Sequence, residues 1–370
     1  MPDKTIIRKA LLTWYRKEKR DLPWRNTGDP YHIWVSEMML QQTQVKTVIP
    51  YYQRWLETFP TVEDLAEAQS SRVLKLWEGL GYYSRARNFH AAARIVVREF
   101  GGKVPDSAEA ILQLPGIGRY TAGAILSIAY DRRVPVLDGN VKRVLSRLFL
   151  IPGNRQIAGV EAVLWNKAEE LLPRNHPGDF NQALMELGAT VCLPKNPDCP
   201  LCPLSRVCRA RKENAQAQFP ASAKTTPAQK IQVSAAVIQK GGKTFIQQRP
   251  HKGLMGGLWE FPGGKLQDSE SPEECIRREI REELGVDIRV GEKLMTVRHS
   301  YTQFRVTLHV FRCTLNNGRL RPTQCEQWRW VPPEDLEDYP FPAANARIVK
   351  FLKASQSAPL RGVKMKSRQE

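Results

Sequence analysis

The sequence predicts a multidomain protein in which an all-α domain is followed by an α+β domain. Through the first domain, apolar residues recur at three- and four-residue spacing, the period of amphipathic helices. From Gln232 the apolar residues alternate as they do in strands, and one strong helical pattern lies at 271–284. Between the two, the chain is rich in Ala, Gln, Pro and Thr, a composition typical of a linker. The expected divisions are a helical domain at 1–212, a linker at 213–230, an α+β domain at 231–353 and a basic, disordered tail at 354–370.

The helical period is visible in separate runs, most of them bounded by Pro or Gly. In the second domain the segments VSAAVIQ, KTFIQQR and RVTLHVFRC have the character of strands. The predicted helices of the first domain lie at 6–19, 30–57, 62–77, 84–99, 120–130, 140–150 and 157–172.

The charge of the chain favours a polyanionic partner. Lys and Arg number 56 against 38 Asp and Glu, which gives a net charge of +18. Solubility alone is the alternative explanation for such an excess. No apolar run approaches the length needed to cross a membrane, and the first residues lack the layout of a signal peptide. We expect a monomer in the bacterial cytoplasm, associated with the nucleoid.

Four clustered cysteines predict a metal centre. The spacing C-x6-C-x2-C-x5-C within 192–208 is too tight and asymmetric for a disulfide framework in a chain of 370 residues. A zinc ribbon more often shows two separated C-x2-C knuckles, so four thiolates in one compact loop favour a [4Fe–4S] cluster. Zinc or unrelated thiols are the alternatives. The expected ligands are Cys192, Cys199, Cys202 and Cys208.

The segment LPGIGRYTA predicts a helix, a glycine turn and a second helix. Gly116 and Gly118 would let the backbone approach a phosphate, which free N–H groups at the next helix start can bind. This helix–hairpin–helix pattern is typical of sequence-independent DNA binding. Asp138 follows at a predicted loop-to-helix junction, where a simple N-cap is the other explanation.

With these motifs, residues 1–212 resemble the helix–hairpin–helix, iron–sulfur DNA glycosylase superfamily, and within it the adenine DNA glycosylases of the MutY type. The resemblance implies removal of adenine mispaired with 8-oxoguanine, or with guanine, in double-stranded DNA. It is carried by DLPWR (21–25), WVSEMMLQQTQV (34–45), GLGYYSRARN (79–88), LPGIGRYTAGAI (114–125), LDGNV (137–141), FNQALMELG (180–188) and the cysteine loop.

The same resemblance implies a division of roles between two carboxyl groups. Glu37 would protonate adenine at N7 and then help to activate water, and its apolar neighbours in sequence would keep it protonated. Asp138 would be the anion beside the developing oxocarbenium ion, with Asn140 and Tyr120 as polar supports around it. Endonuclease III-like relatives carry at the Tyr120 position a Lys that forms a Schiff base. Because a phenol cannot form an imine, we expect a monofunctional glycosylase.

A wider set of residues is implied in contacts with DNA and with the extruded base. Around 8-oxoguanine and the vacated stack these are Gln42, Thr43, Leu80 and Tyr82, and around adenine they are Trp24, Arg25, Gln182 and Glu186. An endonuclease III-like lyase and a catalytically silent DNA-damage-binding scaffold are the alternative functions. Intact Glu37 and Asp138 argue against the scaffold.

The second domain contains a complete Nudix signature, G-x5-E-x7-R-E-I-x-E-E-x-G-V, from Gly264 to Val286. Glu279, Glu282 and Glu283 share one face of a helix, where three carboxylates repel one another unless they bind a cation such as Mg²⁺. Arg278 could hold this array in place. The expected nucleotide-site residues in the signature are Gly264, Glu270 and Arg278.

Residues 231–353 resemble the MutT 8-oxo-dGTP pyrophosphatases, with WEFPGGK (259–265) and FPAANARI (341–348) as matching segments. The resemblance implies that Asn345 reads the oxidised purine, that Arg249 holds the nucleotide and that Glu326 is a second metal ligand or base. In adenine glycosylases this domain usually has a degenerate Nudix fold whose reading loop carries Phe-Ser-His. Here that loop reads Tyr301-Thr302-Gln303. An intact acidic signature beside an altered reading loop suggests that the domain retains nucleotide hydrolysis, with 8-oxo-dGTP as the expected substrate unless the signature is idle. The resemblance to adenine glycosylases implies that the domain also reads 8-oxoguanine.

Overall fold

The computed structural model describes residues 3–152, 159–221, 229–253, 255–301, 304–316 and 318–357. The chain divides into two compact units. The first comprises Met1–Ala68 and Arg85–Thr226, and the second comprises Gln69–Ser84 and Pro227–Glu370. Gln69–Ser84 thus belongs to the second unit, although it lies inside the predicted helical domain. None of the helices in the described parts of the chain is long and apolar enough to span a bilayer.

The first unit is helical, as predicted. Two predicted runs are each divided: 30–57 is broken by a turn after Leu40, and 62–77 is broken before Ser70. Pro177–Thr190 and the four-residue helix Arg209–Lys212 lie outside the predicted runs. The helices up to residue 212 are α1 (Lys4–Glu18), α2 (Pro30–Leu40), α3 (Val45–Thr58), α4 (Val62–Glu67), α5 (Ser70–Leu76, in the second unit), α6 (Ser84–Phe100), α7 (Ala108–Ile111), α8 (Arg119–Tyr130), α9 (Gly139–Phe149), α10 (Val160–Leu171), α11 (Pro177–Thr190) and α12 (Arg209–Lys212).

The α11 helix lies at the centre of one apolar core. Phe180, Leu184 and Leu187 of this helix are almost completely buried with residues of α1, α8, α9 and α10. Burial of such side chains stabilises the fold by about 1.5–3 kcal/mol each. This core fixes the ends of α8, α9 and α11 relative to one another, and those ends carry polar residues of the candidate site.

The second unit contains a mixed sheet covered by helices, which confirms the α+β prediction. The elements are β1 (Gln229–Lys240), β2 (Lys243–Gln248), β3 (Trp259–Glu260), β4 (Gly263–Lys265), α13 (Pro272–Leu284), β5 (Ile288–Ser300), β6 (Phe304–Leu315), β7 (Gln327–Val331) and α14 (Ala343–Ser357). The strand order is β3-β2-β1-β6-β5, with β4 paired to β1 and β7 paired to β2; the β1–β6 pair is parallel.

Alternate residues of β1 face two different apolar cores. Ala236 and Ile238 pack in the core that contains α13, whereas Ala235 and Val237 pack in the core that contains α14. This two-residue period is that of a strand buried on both faces. The sheet therefore lies between the helix that carries the acidic signature and the helix that carries Asn345.

Two predicted boundaries can be compared with these elements. Gln216–Gln218 of the expected linker form a 3-10 turn, and β1 begins at Gln229. The α14 helix runs through Ser357, past the expected start of the tail at 354. The remainder of the expected tail lies outside the described residues.

Candidate active sites

A deep cleft of about 880 Å³ opens in the first unit. Its walls come from the turn at Arg20–Arg25, the end of α2 and the ends of α8, α9 and α11. It brings together the polar residues that the sequence singled out, because its lining includes Trp24, Arg25, Glu37, Gln42, Thr43, Tyr120, Asp138, Asn140, Gln182 and Glu186.

Glu37 is a buried acid in this cleft. It lies near the end of α2, whose start is capped by the Asp29 carboxylate, and only 5% of its surface is exposed. The hydroxyl of Tyr120 donates a hydrogen bond of 2.7 Å to its Oε2. Burial, aided by the nearby charge of Asp138, raises the pKa of Glu37 to about 7, although Tyr120 and Arg25 oppose the rise. Glu37 is therefore available in both protonation states near neutral pH, as a general acid–base group requires.

Tyr120 supports Glu37 and not Asp138, which corrects the sequence-based expectation. Its hydroxyl contacts the Glu37 carboxyl and, at 3.3 Å, the sulfur of Met185. Burial and the charges of Glu37 and Asp138 raise the pKa of this phenol well above its usual value. Tyr120 is therefore a neutral hydrogen-bond donor at any physiological pH.

Asp138 is both a helix cap and a cleft residue. Its Oδ1 accepts from the backbone N–H of Val141 at 2.7 Å and so caps α9, while its Oδ2 accepts from Asn140 Nδ2 at 2.9 Å. Burial raises the pKa of Asp138, and the bonds from Val141 and Asn140 and the charge of Arg143 oppose that rise. The expected contact between Asp138 and Asn140 is present, and the cap explanation is also correct.

Two residues that support this carboxylate were missed in the sequence. Arg143 Nη2 donates to Asn140 Oδ1 at 2.8 Å and to Gly188 O at 2.7 Å, and its Nε donates to Cys192 O at 2.8 Å. A Cβ on Gly188 would lie 2.6 Å from the Cβ of Asn140, so only glycine allows α11 to approach α9 this closely. Arg143 thus joins the support of Asp138 to the start of the cysteine loop.

Glu186 anchors one wall of the cleft. It is 1% exposed and accepts from Arg20 Nε, Arg20 Nη2 and Arg25 Nη2 at 2.7–2.8 Å. Burial raises the pKa of Glu186, but the bonds from the two guanidinium groups outweigh it and hold the pKa at about 2. Glu186 is therefore a permanent anion that ties α11 to the turn at Trp24, which packs edge-on against Tyr52 at 5.4 Å. Arg20 was not predicted.

The turn after α2 carries Gln42 and Thr43 at the edge of the cleft. Gln42 has a left-handed backbone with φ of 58°, and the buried guanidinium of Arg85 binds the carbonyls of Met38, Met39 and Gln41. Arg85 therefore satisfies the free carbonyls at the end of α2 and shapes this turn. Leu80 and Tyr82, which were grouped with Gln42 and Thr43, belong to the second unit.

The predicted hairpin is present between α7 and α8. Gly116 has φ of 80°, and a Cβ there would lie 2.8 Å from the Cβ of Asn88, so this position requires glycine. Gly118 is the N-cap of α8 and leaves its first backbone N–H groups without a side-chain cap. Such groups can bind a phosphate.

The four predicted cysteines surround one cavity of about 20 Å³ in the first unit. In the described part of the chain, no three His, Cys, Asp or Glu side chains converge as ligands of a single metal ion do. An iron–sulfur cluster would be held by these four thiolates together, and not by three ligands on one ion. Burial and the neighbouring thiols raise the pKa of Cys202 to about 12, which favours ionisation only with a bound cation. The donor set therefore fits a cluster.

The acidic signature in the second unit is organised around Arg278. Its guanidinium binds both oxygens of Glu270 at 2.8 and 3.0 Å, Glu279 at 2.9 Å and Glu282 at 3.3 Å. Arg278 lowers the pKa of Glu270 to about 2. A Cβ on Gly264 would lie 2.2 Å from the carboxyl of Glu279, so a larger residue there would displace this carboxylate. The oxygen-rich set suits Mg²⁺ in chemistry.

Glu283 differs from the other acids of the signature. It accepts from Gln247 Nε2 and from the backbone N–H of Gly263 at 3.0 and 3.1 Å, and burial with the charge of Glu260 raises its pKa to about 7. Glu260 was missed in the sequence. It pairs with Arg249, the residue expected to hold the nucleotide.

The remaining predicted residues of this unit each make contacts of their own. Asn345 Oδ1 accepts from the backbone N–H of Phe261 at 3.1 Å, which leaves the amide nitrogen for another acceptor. The carboxylate of Glu326 accepts from the backbone N–H of His251 at 3.4 Å, and its role as a metal ligand stays a prediction. Tyr301 follows β5 and packs against His299 and Phe304. Thr302 and Gln303 lie outside the described residues.

Comparisons with known proteins agree with both units. Residues 35–170 match the HhH-GPD superfamily of base excision DNA repair proteins, and residues 233–351 match the NUDIX domain. An adenine DNA glycosylase of Rattus norvegicus is 36% identical over 98% of this chain and 81% of its own length. The chain belongs to the adenine DNA glycosylase family. It is therefore a base-excision-repair enzyme with a C-terminal Nudix domain, which confirms the predicted fold class and family.

A second relative and one solved structure are also similar to this chain. The adenine DNA glycosylase of Buchnera aphidicola subsp. Schizaphis graminum is 33% identical over 94% of this chain and 99% of its own. A solved structure described as a thermostable thymine-DNA glycosylase is 32% identical, with a TM-score of 0.52, and covers 57% of this chain and 97% of its own. The hairpin lies within the residues that match the base-excision-repair family, and the four cysteines of the cavity lie C-terminal to them.

Proposed function

We propose that this chain hydrolyses the N-glycosidic bond of adenine mispaired with 8-oxoguanine, or with guanine, in double-stranded DNA. The observation that carries the proposal is the buried Glu37, with a pKa of about 7 and a hydrogen bond from Tyr120, in one cleft with Asp138. An exposed helix carboxyl would have neither the raised pKa nor a concave site around it.

The two carboxyl groups perform different parts of the reaction. Glu37 donates its proton to N7 of adenine, so that when the glycosidic bond breaks its electron pair passes to the protonated base, which leaves as neutral adenine. The Asp138 carboxylate stabilises the positive charge that develops on the sugar carbon. The Glu37 carboxylate then takes a proton from water, whose oxygen attacks that carbon and leaves an abasic site.

Tyr120 supports hydrolysis without strand cleavage. A lyase needs an amine close to the sugar carbon to form an imine. At this position the chain has a phenol that donates to Glu37. Lys142, which also lines the cleft, pairs with Glu161 at 2.8 Å. The product is therefore an intact strand that carries an abasic site.

The four cysteines hold a [4Fe–4S] cluster in this proposal. A bound cluster would supply covalent cross-links within 192–208, and the conservative role for it is structural. Arg147 is well placed to stabilise its negative charge, because it lies 3.3 Å from Cys192 Sγ and also binds the carbonyls of Leu193 and Pro194.

We expect the full chain to excise adenine opposite 8-oxoguanine at least about tenfold faster than adenine opposite thymine. Single-turnover assays on labelled duplexes measure this ratio, with alkali added to cleave at abasic sites. A difference of about 1.4 kcal/mol in the barrier gives the tenfold factor. Absence of excision from every mispair, or strand cleavage without alkali together with borohydride trapping, would contradict the proposal.

The Nudix unit reads 8-oxoguanine in this proposal, and hydrolysis of 8-oxo-dGTP is a second candidate function. The observation that favours hydrolysis is the preserved network of Arg278 with Glu270, Glu279 and Glu282 beside the buried Glu283. A degenerate Nudix signature that only maintains the fold would not need this network of Arg278 and carboxylates. Mg²⁺, when bound by these carboxylates, would neutralise the phosphates and activate water.

Replacement Glu282→Gln is expected to lower Mg²⁺-dependent hydrolysis of 8-oxo-dGTP by the full chain at least a hundredfold, about the effect of removing one group that stabilises transition-state charge. Excision of adenine should not change. Release of the nucleoside monophosphate measures the first activity. Glu273→Gln, an exposed acid on the same helix, is the matched control. If the wild type and Glu282→Gln hydrolyse 8-oxo-dGTP at the same rate, or if neither hydrolyses it, the acidic signature is catalytically idle.

A further inference from the structure

The segment Gln69–Ser84 is attached to the Nudix fold through the backbone of one turn. Lys75 Nζ donates to Tyr339 O, Glu78 Oε1 accepts from Phe341 N, and Tyr83 Oη donates to Phe341 O, each at 3.2 Å. Three side chains of the segment therefore bind consecutive polar groups between 339 and 341. We call Lys75, Glu78 and Tyr83 the clamp.

Glu78 is the central residue of the clamp. Its Oε2 also pairs with Lys75 at 2.5 Å, and the two side chains are only 19% and 34% exposed. One carboxylate thus joins a lysine of α5 to a backbone N–H of the turn. Charge-assisted hydrogen bonds shielded from water are stronger than neutral ones. Tyr83 is buried and closes the other end of the contact.

The opposite side of the same turn supports the residues expected to read the oxidised purine. Pro340 O accepts from Trp259 N at 2.8 Å, and the ring of Phe341 stacks on Phe261 at 5.6 Å with 15° between planes. Phe261 N in turn donates to Asn345 Oδ1. An unbroken chain of contacts therefore runs from Glu78 through Phe341 to Asn345.

Between Glu78 and Tyr83 lies the loop that carries Leu80 and Tyr82. Gly79, Gly81 and Tyr82 have φ of 103°, 70° and 46°, and Trp77 Nε1 donates to Gly81 O at 3.0 Å. The Tyr82 ring is 41% exposed. Because both ends of this loop are anchored on the turn at 339–341, a shift of that turn must move the loop.

We propose that Lys75, Glu78 and Tyr83 are positioning residues that couple the loop at Leu80–Tyr82 to the purine-reading face of the Nudix unit. The inference rests on the proposed excision of adenine opposite 8-oxoguanine. The clamp makes one rigid piece of the loop that enters the vacated stack and the domain that recognises the oxidised base. Its effect is therefore on the preference for 8-oxoguanine over guanine opposite adenine, and not on bond cleavage.

The test compares single-turnover excision from A:8-oxoguanine and A:G duplexes by the full chain and its variants. Glu78→Ala should lower the ratio of the two rates at least about fivefold, the lower end of typical coupling between sites, while the A:G rate stays within about twofold. Tyr83→Phe should lower the ratio in the same direction. Glu78→Gln keeps a side-chain oxygen that can accept the hydrogen bond from Phe341 N. The ratio of the two excision rates in this variant should therefore stay close to that of the wild type. Glu67→Ala, an exposed acid at the end of α4, is the matched control.

Two results would overturn the inference. An unchanged ratio in Glu78→Ala would show that the clamp does not affect recognition. A parallel fall of both rates would show that Glu78 only maintains the fold, and the preserved A:G rate is the readout that separates these cases. If the wild type excises adenine from neither duplex, the proposed function fails before the clamp is tested.

Discussion

Replacement Glu37→Gln is expected to lower the rate of adenine excision by about 10²- to 10⁴-fold, the range typical for loss of a general acid. The amide has nearly the same shape and can still accept the hydrogen bond from Tyr120, but it has no proton of suitable acidity to give to adenine. Single-turnover excision from an A:8-oxoguanine duplex measures the loss. A variant that keeps more than about a tenth of the wild-type rate would show that another group protonates the base.

The pH dependence of the wild type should identify the same group. Because burial raises the pKa of Glu37 to about 7, the protonated acid decreases above neutral pH. The excision rate is expected to fall about tenfold between pH 6 and pH 8. Tyr120→Phe removes a hydrogen bond that lowers the pKa of Glu37, so the decline should move to higher pH in that variant. A decline that moves to lower pH would contradict this assignment.

We do not expect instability to explain lost activity in Glu37→Gln. The folded-state pKa of about 7 lies above the ordinary value of 4.5, so the folded protein binds the proton more tightly than the unfolded chain. The free energy of unfolding therefore decreases as pH rises from about 4.5 to 7, by a total of order 3 kcal/mol from this group. The Gln side chain cannot ionise, so the variant does not lose this free energy of unfolding as pH rises. At pH 8 it should therefore unfold at a temperature equal to or above that of the wild type.

The sequence is a better guide to features whose residues lie within one helix or strand than to features formed by contacts between separate elements. Glu279, Glu282 and Glu283 share one face of α13 because their spacing follows the helical period. The bond between Tyr120 and Glu37 joins residues 83 positions apart, and no local pattern shows which carboxylate the phenol will contact. The expectation that Tyr120 supports Asp138 was wrong for this reason.

The α11 helix shows why a central element can be missed. Phe180, Leu184 and Leu187 follow the helical period, but Asn181 and Glu186 are buried as well, so burial of α11 extends well beyond its apolar face. Gly188, which would weaken a helix in isolation, is retained here because α9 approaches so closely. Packing with other helices, and not local propensity, therefore determines this element and the positions of Gln182 and Glu186.

The assignment of Gln69–Ser84 to the second unit also depends on distant contacts. The helical period of 62–77 continues across Gln69 with no change in composition, so the sequence offers no boundary there. The bonds of Lys75, Glu78 and Tyr83 reach residues more than 250 positions later. Such contacts follow from the tertiary fold alone, which explains why Leu80 and Tyr82 were grouped only with Gln42 and Thr43.

Replacement Asp138→Asn is expected to lower excision by about 10²- to 10³-fold, because it removes the negative charge that stabilises the oxocarbenium ion. Asn is as good an N-cap as Asp, so the start of α9 should remain intact. Asp138 accepts from Val141 N and from Asn140 Nδ2 with separate oxygens, whereas Asn has only one oxygen. The bond from Asn140 to the carboxylate is therefore lost, at a cost of about 1.5–3 kcal/mol in the free energy of unfolding, as is typical for a hydrogen bond to a charged group.

Comparison of Asp138→Ala with Asp138→Asn separates the contribution of the cap from that of the charge. Asp138→Ala removes both, so it should lose activity to the same extent as Asp138→Asn and in addition lose about 1 kcal/mol of stability from the missing cap. Binding of a duplex that carries a non-hydrolysable adenine nucleotide should differ little between the wild type and Asp138→Asn, because the carboxylate acts on charge that is absent in the ground state. An Asn variant that excises adenine within about threefold of the wild-type rate would leave Asp138 with the cap as its whole role, and the stabilising anion would then have to be sought elsewhere in the cleft.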